Sequence, residues 1–355
     1  MISKNIIYLL VATSIVSSVV TYSFCKYRLK IPEKTDYSIL SQPQTSQSND
    51  CNYKIERLEG YKYIRPINYA EPECETLKYL PLKAQVQNKI DEYKYSNNLT
   101  SASVYFRGFN LGNWININPD EQYHPASLLK LPLLITLLKT DESTPGFLNK
   151  RLTFSQKLTT TRIQTFNSHQ IQFGKSYTIR ELLQYMVSYS DNNATNLLHQ
   201  VMDAEEHKKT FYKLGLPICD VTKLGYTISA KDYSTFLKVL FSGSYLNHEH
   251  SEFAFELLAK TDFDDGLKAG LPGGTLVAHK FGEWTDGKSI RELHESGVIY
   301  LNGKAFLLTI MTSGTNVKQL TGVIAGITKT VYDYLDNLNK LDISYIPKSK
   351  DQQSL

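Results

Sequence analysis

Apolar residues change their spacing several times along the 355-residue chain, and each change marks a different kind of element. Ile6 to Phe24 is an uncharged, mostly apolar run between Lys4 and Lys26, long enough to cross a bilayer as a helix. Tyr22, Phe24 and Tyr27 offer no small residues for signal cleavage, so residues 1–30 read as a membrane anchor or signal segment, with the retained anchor favoured. Cys25 sits where a lipidated cysteine would, but Tyr22-Ser23-Phe24 before it fits that processing poorly. From Ile31 to Asp50 the composition turns to Ser, Gln, Pro and Asp, the pattern of a tether. Residues 51–80, rich in Tyr and Pro, read as irregular structure against the domain that follows; together 31–80 form a tether and N-terminal extension.

A folded domain is expected over residues 81–340. Leu82 to Tyr95 has helical spacing, and Ser101 to Phe109 and Trp114 to Ile117 alternate as strands around Asn110-Leu111-Gly112-Asn113. Past Pro125 the pattern is helical, with segments near 127–139, 178–189, 193–203 and 230–241. At Leu276 strands return. Gly297 to Leu301 and Ala305 to Thr312 flank Asn302-Gly303, a strong short hairpin signal. A final amphipathic helix is expected from Val317 to Leu338, and residues 341–355 read as a disordered tail. The fold class is α+β: an antiparallel sheet flanked by N- and C-terminal helices, with an inserted all-helical lobe.

Composition narrows the functions little, but it does exclude one. Net charge is +4 and no long Lys/Arg block occurs, so nucleic acid is not an expected partner. Among the four cysteines, Cys51 and Cys74 could pair in an oxidising compartment or stand as free thiols, and no metal-ligand spacing appears. His248-Glu249-His250 lacks a third ligand and reads as a solvated loop, so no metal and no cofactor are expected.

Three short stretches carry candidate chemistry. Ser127 and Lys130 lie three apart, on one face of a helix that His124-Pro125-Ala126 would start. Backbone N–H groups at a helix start favour developing negative charge, and Lys130 could take the Ser127 proton if burial and a second cation destabilise its ammonium. Ser-x-x-Lys alone is a weak signal, since Ser23-Phe24-Cys25-Lys26 matches it too. Pro132 lies inside the expected helix, where an interior proline is unfavourable by about 3 kcal/mol and would kink it. Ser190-Asp191-Asn192 joins two helical stretches and could be a simple capping turn or could aim a hydroxyl and an amide into a cleft. His279-Lys280-Phe281-Gly282 lies on a strand; His279 reads as facing the sheet, and Gly282 as letting a substrate backbone come close.

In their order, spacing and flanks, including Gly270-Leu271-Pro272, the three stretches resemble the penicillin-recognising active-site-serine hydrolases, specifically the class A β-lactamase-like family. The resemblance implies Ser127 as nucleophile, Lys130 as base and Ser190 as the relay to the leaving nitrogen. It implies that Asn192 binds the substrate's amide side chain, that Asp191 holds the loop, and that Lys280 supports the site and recognises a carboxylate. Gly282 precedes Glu283, whose backbone N–H would pair with that of Ser127 as oxyanion donor. The site would lie in a cleft between sheet and helical lobe, and the partner would be a β-lactam or a peptidoglycan stem peptide, bound by a single copy of the chain.

Two departures modify that expectation. Phe281 stands where the family has Thr or Ser, and a lost hydrogen bond to a charged group is worth roughly 1.5–3 kcal/mol. The stretch 214–233 contains no Glu, although the family carries a deacylating Glu there. Deacylation should therefore be slow unless a carboxylate such as Glu283 or Glu295 substitutes. The expected activity is opening of β-lactam amides through an acyl-enzyme on Ser127. The alternatives are a D-alanyl-D-alanine carboxypeptidase or transpeptidase and a non-hydrolytic β-lactam or cell-wall sensor. All place the domain outside the cytoplasm, anchored through residues 6–24, although Lys26, Arg28 and Lys30 favour the opposite orientation.

Overall fold

The computed structural model describes residues 51–344, apart from 97, 157–164, 167 and 221–224. The anchor and tether expected over 1–50 and most of the tail expected over 341–355 lie outside the described residues. Among the described residues no helix is long and apolar enough to cross a membrane.

A five-stranded antiparallel sheet organises the fold, in the order β4-β3-β9-β8-β7. Its strands are β3 (Ser101–Gly108), β4 (Trp114–Ile117), β7 (Leu276–Thr285), β8 (Arg291–Leu301) and β9 (Lys304–Gly314). Asn302 and Gly303 both take positive φ, 50° and 72°, as the two-residue turn between β8 and β9 requires. One face of the sheet is covered by α1 (Leu80–Tyr95) and the terminal helix α8 (Val317–Ser344). Val86 and Ile90 of α1 and Leu320, Ile324 and Ile327 of α8 join Leu308 and Ile310 of β9 in that core.

The other face meets the helical lobe. Ala278, Val298, Leu307 and Met311 pack there with the buried residues of α2 (Lys130–Ser143), α3 (Ile179–Ser188), α4 (Asn192–His199), α5 (Ala204–Lys213), α6 (Ala230–Phe241) and α7 (His248–Ala259). Short strands β5 (Arg151–Thr153) and β6 (Ser176–Thr178) pair beside α3, whose start is fixed by a Thr178–Glu181 capping box. Because side chains alternate along β7, His279 and Phe281 belong to the α1/α8 side while Ala278 and Lys280 face the lobe.

Several local readings are corrected. Residues 51–80 are not irregular: β1 (Tyr53–Arg57) and β2 (Ile67–Pro72) pair antiparallel, and a Cys51–Cys74 disulfide closes the pair. His248-Glu249-His250 is not a loop but the first turn of α7, where His250 Nε2 lies 3.0 Å from Asp141. Pro132 does not interrupt a helix interior. The chain runs as a 3-10 turn over Ala126–Leu129 and becomes α-helical at Lys130, so Pro132 occupies the first α-turn, where no intrahelical N–H is needed.

Candidate active site

The 3-10 turn Ala126–Leu129 brings half-buried Ser127 to the junction of the sheet and the lobe. Ala126 takes φ +50°, a strained conformation that only firm surroundings maintain. Those surroundings come from several elements. Tyr233 of α6 donates its hydroxyl to the Leu128 carbonyl at 3.0 Å, and Glu292 of β8 accepts the His124 N–H at 2.9 Å. His294 accepts the Thr312 N–H at Nδ1, so its Nε2 carries the proton and donates to the His124 carbonyl at 3.1 Å.

Lys130 is buried and reaches Ser190 and Asn192. Its Nζ lies 2.5 Å from the Ser190 carbonyl, 3.1 Å from Ser190 Oγ and 2.9 Å from Asn192 Oδ1. Burial, and then the charge of Lys280, push this ammonium well below the ordinary lysine range, with only Asp191 opposing. Lys280 of β7 donates to the same Ser190 hydroxyl at 3.0 Å and to the Phe281 carbonyl at 3.2 Å. Burial lowers it to about 7, while Asp262 and Glu295 hold it up. The Ser190 hydroxyl thus stands between two amines.

Ser190 has φ +55°, and the loop that strains it is pinned by Asp191. One Asp191 carboxylate oxygen accepts the Asn193 N–H at 2.9 Å, capping α4, and the other accepts the Ile171 N–H at 2.9 Å. Both readings of this stretch hold together: it is a capping turn, and it delivers Ser190 and Asn192 to the lysines.

Gly282 serves a different purpose from the one expected. A Cβ there would lie 2.5 Å from the Pro125 carbonyl oxygen and 3.0 Å from the Leu128 nitrogen, so its missing side chain admits the Ser127 turn. Residue 283 follows directly beside that turn. The Glu283 carboxylate accepts from the Thr165 N–H at 2.9 Å and from its hydroxyl at 2.5 Å. Glu295 is fully buried and shares the α1/α8 side of the sheet with His279 and Phe281. The only carboxylate acting appreciably on Lys130 is Asp191.

Phe281 stacks on Phe263 at 4.3 Å and meets Phe166 edge-on at 6.0 Å, and the Lys280 Nζ lies 4.2 Å from its ring centre. A cavity of about 300 Å³ opens alongside, lined by Thr165, Phe166, Tyr189, Asp262, Phe263 and Phe281 among others. It adjoins the lysine pair and does not include Ser127. Among the described residues no cluster of His, Cys, Asp or Glu could hold a metal ion. The supporting residues Tyr233, Glu292, His294, Thr165 and Ile171 carry no motif; only the folded chain brings them here.

The model of the beta-lactamase enzyme family matches residues 81–335. A beta-lactamase of Bacteroides uniformis is 25% identical over 176 residues, covering 44% of this chain and 60% of that protein, less than two thirds of its length. The extended-spectrum beta-lactamase PER-1 of Pseudomonas aeruginosa is 24% identical over 246 residues, covering 61% of this chain and 77% of that protein. Among solved structures, a mutant of PBP-A in an acyl-enzyme complex with penicillin G is 23% identical, with a TM-score of 0.60 over 72% of this chain and 97% of that one. A beta-lactamase of Chitinophaga pinensis is 22% identical, with a TM-score of 0.61 over 70% and 99%. At these identities the structures share the fold.

Proposed function

The chain belongs to the beta-lactamase enzyme family, and from that premise we propose that it opens β-lactam amides through an acyl-enzyme on Ser127. The observation that carries this reading is the convergence of Lys130 and Lys280 on one hydroxyl, at 3.1 Å and 3.0 Å from Ser190 Oγ. Lys130, whose ammonium is destabilised by burial and by the charge of Lys280, takes the Ser127 proton as Oγ attacks the lactam carbonyl. The backbone N–H groups of Ser127 and Glu283 hold the oxyanion. Collapse breaks the C–N bond, and the proton passes from Lys130 through the Ser190 hydroxyl to the leaving nitrogen. Asn192 binds the substrate's amide side chain and Lys280 its carboxylate.

Deacylation is the slow half. A positioned general base is worth about 10²–10⁴-fold, and the 214–233 stretch supplies no Glu for it. The same feature favours a second reading, a D-alanyl-D-alanine carboxypeptidase or transpeptidase acting on peptidoglycan stem peptides with these residues. The Cys51–Cys74 bridge supports an extracytoplasmic domain, anchored through residues 6–24, because disulfides persist in oxidising compartments.

Intact-mass analysis after incubation with penicillin tests the assignment. One adduct is expected on the wild type and none on Ser127→Ala, with a burst equal to the enzyme concentration when a chromogenic β-lactam is used. An adduct that survives Ser127→Ala overturns the nucleophile, and fast turnover without accumulating adduct overturns the slow step.

A further inference from the structure

On the α1/α8 side of β7 lies a carboxylate–imidazole pair that no step above uses. His279 and Glu295 are both fully buried, and Nδ1 of His279 meets Oε1 of Glu295 at 2.5 Å. The second carboxylate oxygen accepts the Leu267 N–H at 2.8 Å, and the Thr261 hydroxyl donates to the His279 carbonyl at 2.7 Å. Two neighbouring positions lack side chains to admit the pair. A Cβ on Gly266 would lie 1.8 Å from Glu295 Oε2, and one on Gly297 would lie 2.6 Å from His279 Cβ. A buried carboxylate is strongly unfavourable unless paired, and apolar side chains could fill the same volume without that penalty.

The position of the pair indicates its use. Side chains alternate along a strand, so anchoring His279 on one face fixes the peptide from which Lys280 leaves on the other. Glu295 also ties in the segment 261–267, which carries Asp262, and these two carboxylates are the negative charges acting on Lys280. Lys130, with Asp191 near it, is the other amine at the site, and Asp264 and Asp265 line the cavity beside Phe281.

We propose that Glu295 and His279 are positioning residues that hold Lys280 in place and keep it charged, acting through the strand and not on the substrate. This role rests on the assignment of Lys280 to the reacting site, yet it can be read on the lysine itself.

The test labels the full chain with [13Cε]lysine, assigns Lys280 by Lys280→Arg, and follows its resonance with pH. Glu295→Gln keeps an acceptor for the Leu267 N–H but removes the charge. Losing a negative neighbour makes the ammonium easier to deprotonate, so the Lys280 midpoint should fall by roughly one pH unit. The alkaline limb of penicillin acylation should move with it, so that acylation drops about tenfold at pH 8 and no more than about twofold at pH 6. A merely structural role would lower acylation equally at both. Glu295→Asp keeps the charge but shortens the reach, and should lose acylation at every pH with the midpoint unmoved. An unchanged midpoint in folded Glu295→Gln overturns the proposal. If Glu295→Gln does not fold, His279→Gln decides on the lysine itself: releasing the Glu295 charge from its imidazole partner should raise the Lys280 midpoint, and an unmoved midpoint there overturns the proposal. If the wild type takes no acyl group, the acylation reading fails while the lysine titration still judges the pair.

Discussion

Lys130 and Lys280 are equally buried and share a hydrogen-bond partner, yet what surrounds them divides their work. Lys130 has one carboxylate, Asp191, against burial and a second cation, whereas Lys280 has Asp262 and Glu295. The ammonium of the first is therefore pushed well below the ordinary lysine range, while the second, at about 7, keeps part of its charge near pH 7. Both residues, with Ser190 and Asn192 that the structure brings to them and Ser127 as the candidate nucleophile, could be named in the sequence because spacing and order need no knowledge of contacts. Tyr233, Glu292 and His294 were not, since a lone Tyr, Glu or His on a regular element carries no sign of what it will meet. Phe281 was legible as a departure, though not as a ring stacked on Phe263. Phe281→Thr should therefore do two things at once. It should tighten capture of a carboxylate-bearing β-lactam about ten- to a hundredfold, read from the concentration dependence of acylation. It should also lower stability, by less than the roughly 3–5 kcal/mol of a buried Phe→Ala change, in a denaturant titration.

At the scale of elements, the reacting group is held by the contact of a 3-10 turn with β7. The sequence placed Ser127 at a helix start and Lys280 on a strand, but not the 3-10 turn Ala126–Leu129, which Tyr233 holds at Leu128 while Glu292 and His294 hold His124 just before it. Gly282 is where the two elements touch. In Gly282→Ala the new methyl would press on the Pro125 carbonyl and force β7 away from the turn. Displacement of this order should reduce acylation about 10²-fold, while far-UV circular dichroism stays at the wild-type level. Wild-type acylation in that variant would show that the contact does not set the geometry.

For the whole molecule, the extension before α1 belongs to the core. Glu71 of β2 is buried and takes hydrogen bonds from the Tyr105 hydroxyl, from Arg107 at 2.8 Å and from Lys238 at 3.2 Å. Composition gave no hint of this, because residues 51–80 have the Tyr and Pro content of a loop and their order comes from a disulfide and one inward carboxylate. Glu71→Ala leaves two cations without their carboxylate, and it should destabilise the protein by about 3–5 kcal/mol in urea unfolding. A loss below 1 kcal/mol would mean the extension is an ornament on a self-sufficient domain.

Because β9 sits between β3 and β8, the middle of the sheet comes from nearly the last part of the folded sequence to be synthesised. Ser101 pairs with Ser313 and Gly108 with Phe306, so the N-terminal and C-terminal strands have no shared hydrogen bonds until β9 exists. The lobe can gather early through local contacts, bringing Lys130 to Ser190, but Lys280 arrives on β7 and is fixed only when β9 zips both halves together. Pairings so distant in sequence form slowly. A growing or truncated chain therefore holds Ser127 and Lys130 but lacks Lys280 and the strand that carries it. On the proposed mechanism, reactivity toward acyl donors would wait until β9 is in place.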